Sequence, residues 1–122
     1  MPHTNTWTEH SLYRKFTGEI SPDEILISNF ETHNHTNFSR IKYIINDFTD
    51  VTSVNIDNSH TKIYATTDDI ISNTKGELKI AIVVQQEAHI ALANNYRNEM
   101  KNKCFECEIF KTLADAENWA KS

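Results

Sequence analysis

The chain has 122 residues and a net charge of −5, from 17 acidic against 12 basic side chains, and its hydrophobic fraction of 39% is that of a globular protein rather than a disordered one. That length suits one compact domain spanning 1–122. Two glycines and two prolines exclude Gly-rich phosphate loops and argue against a turn-dense all-β fold, while the acidic balance argues against an electrostatic nucleic-acid surface.

Residues 7–9 and 12–17 are short runs of aromatic, threonine and aliphatic side chains separated by His10-Ser11, and they predict a β-hairpin. Ser21-Pro22-Asp23-Glu24 is a helix start: Ser21 caps, Pro22 suits the first helical position and Glu24 completes a capping box. The helix is expected to bury Ile25, Leu26 and Phe30 and to fade through residues 31–37. Residues 41–48 lack polar alternation at their centre, as expected of a strand covered on both faces. Asp47-Phe48-Thr49-Asp50 is expected to end it, leaving a loop over 49–54.

A second helix is expected to begin near Asp57 or Ser59 and to close at Gly76. Residues 78–84 repeat the buried-strand signature. Residues 87–100 read as a helix with Ala88, Leu92, Tyr96 and Met100 on one face. Residues 105–110 alternate as a strand, and Thr112-Leu113-Ala114-Asp115 caps a closing helix with Leu113, Ala116, Trp119 and Ala120 inward. The order β-β-α-β-α-β-α-β-α specifies an α/β domain with a largely parallel sheet of four to five strands, an N-terminal antiparallel hairpin and about four helices. Everything rests on residues 43–45 and 80–84 lying side by side and parallel.

The chemistry-bearing residues are sparse. Cys104 and Cys107 are spaced as C-x-x-C, but on a strand they face opposite ways and span ~10 Å, too far for a disulfide, and no second pair completes a zinc site. Cys107 is expected to be buried. Glu31, His33 and His35 would share a face only if extended; on a fraying helix they scatter. His89 is a lone imidazole without a nameable partner. Trp7 and Trp119 are expected to cover the ends of the core. No metal, cofactor or catalytic group is expected. Asp47, Asp50 and Asp57 fall beyond the expected C-terminal end of a central strand, the side on which parallel sheets gather ligands. With Thr49 and Glu87 they make up the expected binding edge. The polar N-terminus has no apolar h-region, and no apolar run reaches the ~18 residues of a membrane span, so a cytoplasmic location is expected.

The Phe-x-Gly-x-Ile strand, the Ser-Pro-Asp-Glu helix start and the Ile-x-Tyr-Ile-Ile-Asn-Asp strand occur in that order. The Ala-Ile-Val-Val strand and a Phe-x-x-x-x-Phe-x-x-Leu-x-x-Ala-x-x-Trp ending follow. Together, from about Leu12 to Trp119, they resemble small bacterial proteins of the STAS-like group, related in fold to the anti-sigma factor antagonists and to the Sec14 lipid-transfer domain. The resemblance implies a (βα)n layout and a non-enzymatic module that binds a protein partner or a second copy of itself as a homodimer. Its Sec14 side implies, alternatively, a carrier of a small apolar ligand or lipid, with a cavity between the helices bearing Ile63, Ile70 and Leu92. Antagonist members carry a phosphorylatable serine at a helix start. The matching stretch here is Asp57-Asn58-Ser59-His60, which makes Ser59 either a phospho-switch or a helix cap.

Overall fold

Residues 3–122 are described by a computed structural model. Met1 and Pro2, the start of the polar N-terminal stretch, lie outside them. The elements follow the expected order: β1 (His3–Trp7), β2 (Ser11–Ile20), α1 (Pro22–His33), β3 (Tyr43–Val54), α2 (Asn58–Lys75), β4 (Leu78–Val83), α3 (Glu87–Glu99), β5 (Phe105–Phe110) and α4 (Leu113–Lys121). One sheet contains all five strands in the order β1-β2-β3-β4-β5. β1 is antiparallel to β2, and every other pairing is parallel. Ile44 lies opposite Ile80 and Ile45 opposite Ala81, so the two central strands are parallel neighbours as expected.

Because β2 to β5 succeed one another across the sheet, right-handed crossovers place their connecting helices on a single face. α1, α2 and α3 cover that face, over Leu12, Ile44, Ile80, Ile82 and Phe105. α4 follows the last strand and packs on the opposite face, where Ala116 meets Ile45, Ala81 and Val83. The central strands are therefore roofed on both sides, which accounts for their lack of polar alternation.

Ser21 and Thr112 cap their helices as expected, but the Glu24 carboxylate meets His3 Nδ1 at 2.5 Å instead of closing a capping box. Ser21 Oγ accepts from the Glu24 N–H at 3.3 Å, and Thr112 Oγ1 accepts from the Asp115 N–H at 3.2 Å. α2 is capped by Asp57, whose carboxylate accepts from the Ser59 and His60 N–H groups, while His60 Nδ1 accepts from the Asp57 N–H at 3.0 Å. Gly76 ends α2 at φ +84°.

Three further expectations are corrected. β3 does not end at Asp47–Asp50, and residues 49–54 form no loop. The strand continues to Val54 because the long β2 supplies a parallel partner, with Thr17 opposite Asp50, Gly18 opposite Val51 and Ile20 opposite Val54. Two register shifts leave extra residues on β3, one between Lys15 and Thr17 and one between Gly18 and Glu19. Second, α1 buries Ile25 but turns Ser28, Asn29 and Thr32 inward and leaves Leu26 and Phe30 exposed. Third, Ala88 is exposed and His89 and Ala93 are buried in its stead, while Leu92, Tyr96 and Met100 face inward as expected.

Candidate functional site

Of the expected binding edge only Asp47 and Thr49 are hydrogen-bonded to each other, and its acids form no shared cluster. Asp47 is buried inside β3 on the α4 face of the sheet, where it accepts from the Tyr13 hydroxyl and, at 2.9 Å, from the Thr49 N–H. Burial pushes its carboxyl up, but the hydrogen bonds from Tyr13 and Thr49 outweigh that and hold it below the ordinary carboxylate value. Burial and the hydrogen bond to Asp47 drive the Tyr13 hydroxyl the other way, far above its usual range. Asp50 pairs with Lys15 at 2.9 Å, a cross-strand contact at a half-exposed position. Asp57 caps α2, and Glu87 is exposed in the first turn of α3. Each acid is thus accounted for by a local partner or a helix end, and no three His, Cys, Asp or Glu side chains among the described residues form a metal-holding group.

Ser59 is not the cap of α2. It lies exposed in the first turn, donating its N–H and its hydroxyl to Asp57 Oδ1 at 2.9 and 2.5 Å. Glu31, His33 and His35 diverge as a helix end requires. Glu31 reaches His3 Nε2 at 3.0 Å, His33 Nε2 lies 3.3 Å from Asp68, and His35 stacks on Trp7 at 3.8 Å between ring centroids. Trp119 packs against Phe110 at 5.6 Å under the Lys79 ammonium. Cys104 is exposed; Cys107 is half-buried, and burial pushes its thiol up to about 12.

The most unusual chemistry lies on the other face, in residues that the sequence reading passed over. Arg14, in the middle of β2, is only 6% exposed. Its Nε donates to Asn46 Oδ1 at 2.7 Å. Its Nη1 faces Ser28 Oγ at 2.7 Å, Asn29 Oδ1 at 3.0 Å and Thr32 Oγ1 at 3.1 Å. The inward polar stripe of α1 is therefore a cradle for this guanidinium, and it explains why the helix is rotated away from its expected apolar face. Burial lowers the guanidinium to about 10, and the carboxylate of Asp68 works against that shift. Asp68, on α2, accepts from the Tyr96 hydroxyl of α3 and faces His33 of α1. These side chains tie α1 to the sheet and the three helices to one another through polar contacts.

A half-enclosed cavity of about 100 Å³ adjoins this network. Its walls are mainly apolar, including Phe16, Ile44, Phe48 and Ile80, and Arg14 and His89 also line it. Leu92 contributes to its wall as expected. Ile63 and Ile70 do not: both are exposed on the outer side of α2. An engineered cavity of ~150 Å³ holds one benzene, so this space is too small for a lipid acyl chain.

No family model matches the chain, and no curated protein matches it either. Solved structures do. The anti-sigma factor antagonist SpoIIAA in its unphosphorylated form superposes with a TM-score of 0.62 at 9% identity, over 98% of this chain and 98% of that one. The fold is SpoIIAA-like. An uncharacterized protein of the DUF3478 family from Shewanella loihica PV-4, itself described as having a SpoIIAA-like fold, is also similar. Its TM-score is 0.50 at 19% identity, over 97% of this chain and 91% of that one. The STAS-type layout implied by the sequence motifs is therefore the one found.

On this SpoIIAA-like frame the exposed large apolar side chains are segregated. Among the described residues they are Leu26, Ile27 and Phe30 on α1 and Ile63 and Ile70 on α2, with Phe30 71% and Ile70 64% exposed. The two helices are neighbours, joined by the Tyr64 hydroxyl donating to the Pro22 carbonyl at 3.0 Å and by the His33–Asp68 contact. No helix among the described residues is long and apolar enough to cross a membrane.

Proposed function

We propose that the chain is a non-enzymatic, STAS-type interaction module that contacts a protein partner, or a second copy of itself, through the outward faces of α1 and α2. The observation that carries this reading is the confinement of Leu26, Ile27, Phe30, Ile63 and Ile70 to two adjacent helices. Singly scattered apolar residues need no explanation, whereas grouped ones mark contact surfaces. Phe30 and its neighbours are available for contact because α1 spends its inward face on Arg14.

Ser59 extends this proposal. Residues 59, 63 and 70 fall at i, i+4 and i+11 on α2, so the Ser59 hydroxyl lies on the same helical stripe as Ile63 and Ile70. A phosphoryl group there would add close to two negative charges beside Asp57 and at the end of an apolar contact stripe, weakening both the cap and the contact.

The test is the size of the species that the chain forms at its natural level in its own cells. The wild-type chain is expected to elute from gel filtration well above a 14.1 kDa monomer, and Phe30→Glu is expected to move it to the monomer position with an unchanged melting temperature. Monomeric elution of both proteins would overturn the reading.

A further inference from the structure

We propose that the cavity beneath α1 and α3 binds a small monocarboxylate of about four to six heavy atoms, its carboxylate seated on the unpartnered Nη2 of the Arg14 guanidinium.

Arg14 lacks a directly bonded counter-charge. Its four hydrogen-bond acceptors, Asn46, Ser28, Asn29 and Thr32, are all neutral, and no carboxylate among the described residues forms an ion pair with it. Asp68 and Glu31 act on this buried cation only through space, whereas buried charges are normally bonded directly to a counter-charge. Nη2 has no hydrogen-bond partner among the described residues, so two N–H groups of a rigid, charged fork remain unspent beside the cavity that Arg14 lines. Asp68, the carboxylate at this end, has both oxygens engaged: Oδ2 by Tyr96 and Oδ1 by His33.

A second group points the same way. His89 is 7% exposed, lines the same cavity, and its imidazole makes no hydrogen bond among the described residues. The polar groups of this space are therefore not closed off by the protein itself, unlike those of an ordinary buried network. Between them the walls are apolar, with Phe16, Ile44, Phe48 and Ile80 available to a short aliphatic tail. The volume of about 100 Å³ limits that tail to a few carbons. The combination of two free N–H groups on a charged Nη2, an apolar wall and a small volume matches a short-chain carboxylate. A phosphate, or a lipid with a full acyl chain, fits it poorly.

The test is a titration of the full chain with butyrate and with butyramide, followed by NMR of the isoleucine methyl groups and the Arg14 Nε–H. Butyrate is expected to shift Ile44, Ile80 and Arg14 saturably, and butyramide at least ten-fold more weakly. Ala93→Leu, which fills the cavity from α3 while leaving Arg14 and its acceptors in place, is expected to abolish the butyrate shifts. No saturable shift up to 10-fold above the millimolar range (roughly the ligand-efficiency scale for so few atoms) would overturn the proposal. So would equal responses to butyrate and butyramide, or an Ala93→Leu variant that binds like the wild type. This site is separate from the outward face of α1 and α2, so either reading can fail without the other.

Discussion

Replacing Arg14 with methionine isolates what the buried guanidinium contributes. The side chains are similar in length, so the change removes charge and donors rather than bulk. It strands four acceptors that face Arg14 at 2.7 to 3.1 Å. Each of these neutral acceptors left buried without its donor costs about 1–3 kcal/mol, of which the desolvation of the charge that is no longer buried offsets a large part, leaving about 3–5 kcal/mol in total. The methionine returns about 1–2 kcal/mol through apolar burial. The net loss is thus about 3 kcal/mol, and for a domain of this size it lowers the melting temperature by roughly 10–15 °C. Urea unfolding followed by circular dichroism measures it. Adding Ser28→Ala and Thr32→Val to Arg14→Met removes two of the stranded acceptors, so the triple variant is expected to be more stable than the sum of the separate changes. A loss below 1 kcal/mol for Arg14→Met, or strict additivity in the triple variant, would refute the view that α1 is oriented by this cradle.

Asp47 has a folded-state pKa below its unfolded value, so its contribution to stability is present above pH 3.8 and is lost as the pH falls through the folded value. In acid unfolding, Asp47→Asn is expected to flatten the low-pH slope, and an unchanged slope would contradict the Tyr13–Asp47 assignment. Cys104 is exposed and Cys107 has its thiol pushed up, so Ellman's reagent is expected to modify one thiol per folded chain and two in urea. Rapid reaction of both thiols would be inconsistent with this burial. Gly76→Ala forces a side chain onto φ +84° in open space, at a cost of about 1–2 kcal/mol by thermal unfolding. Ser59→Asp is expected to shift the gel-filtration species toward the monomer and Ser59→Ala to leave it in place; identical elution of the two would remove Ser59 from the contact.

The sheet was legible because its signals are local and redundant. Residues 43–45 and 80–84 lack polar residues at their centres, Ser21 and Thr112 stand at the right spacing before their helices, and Gly76 sits where α2 must stop. The course of β3 beyond Asp47 was harder to read. Two aspartates within four residues look like a strand end, and only the pairing with β2 gives Asp47 to Tyr13 and Asp50 to Lys15. The rotation of α1 departs from the local pattern for a similar reason, since hydrophobicity assigns Leu26 and Phe30 to the core. A signal was nevertheless present. Arg14 alternates with Leu12 and Phe16 on a strand, which places its side chain inward, and Ser28, Asn29 and Thr32 fall at i, i+1 and i+4, one helical face able to receive it. The cavity and the unpartnered His89 depend on long-range packing and have no counterpart in local pattern.

The central claim, that the outward side of α1 and α2 is a protein-contact surface, is tested most directly by placing a photo-cross-linking residue at position 30 in living cells, with position 118 on α4 as the control. Irradiation is expected to give a discrete protein adduct from position 30, to this chain or to another, and none from position 118. No adduct from position 30, or the same adducts from both positions, would contradict the account.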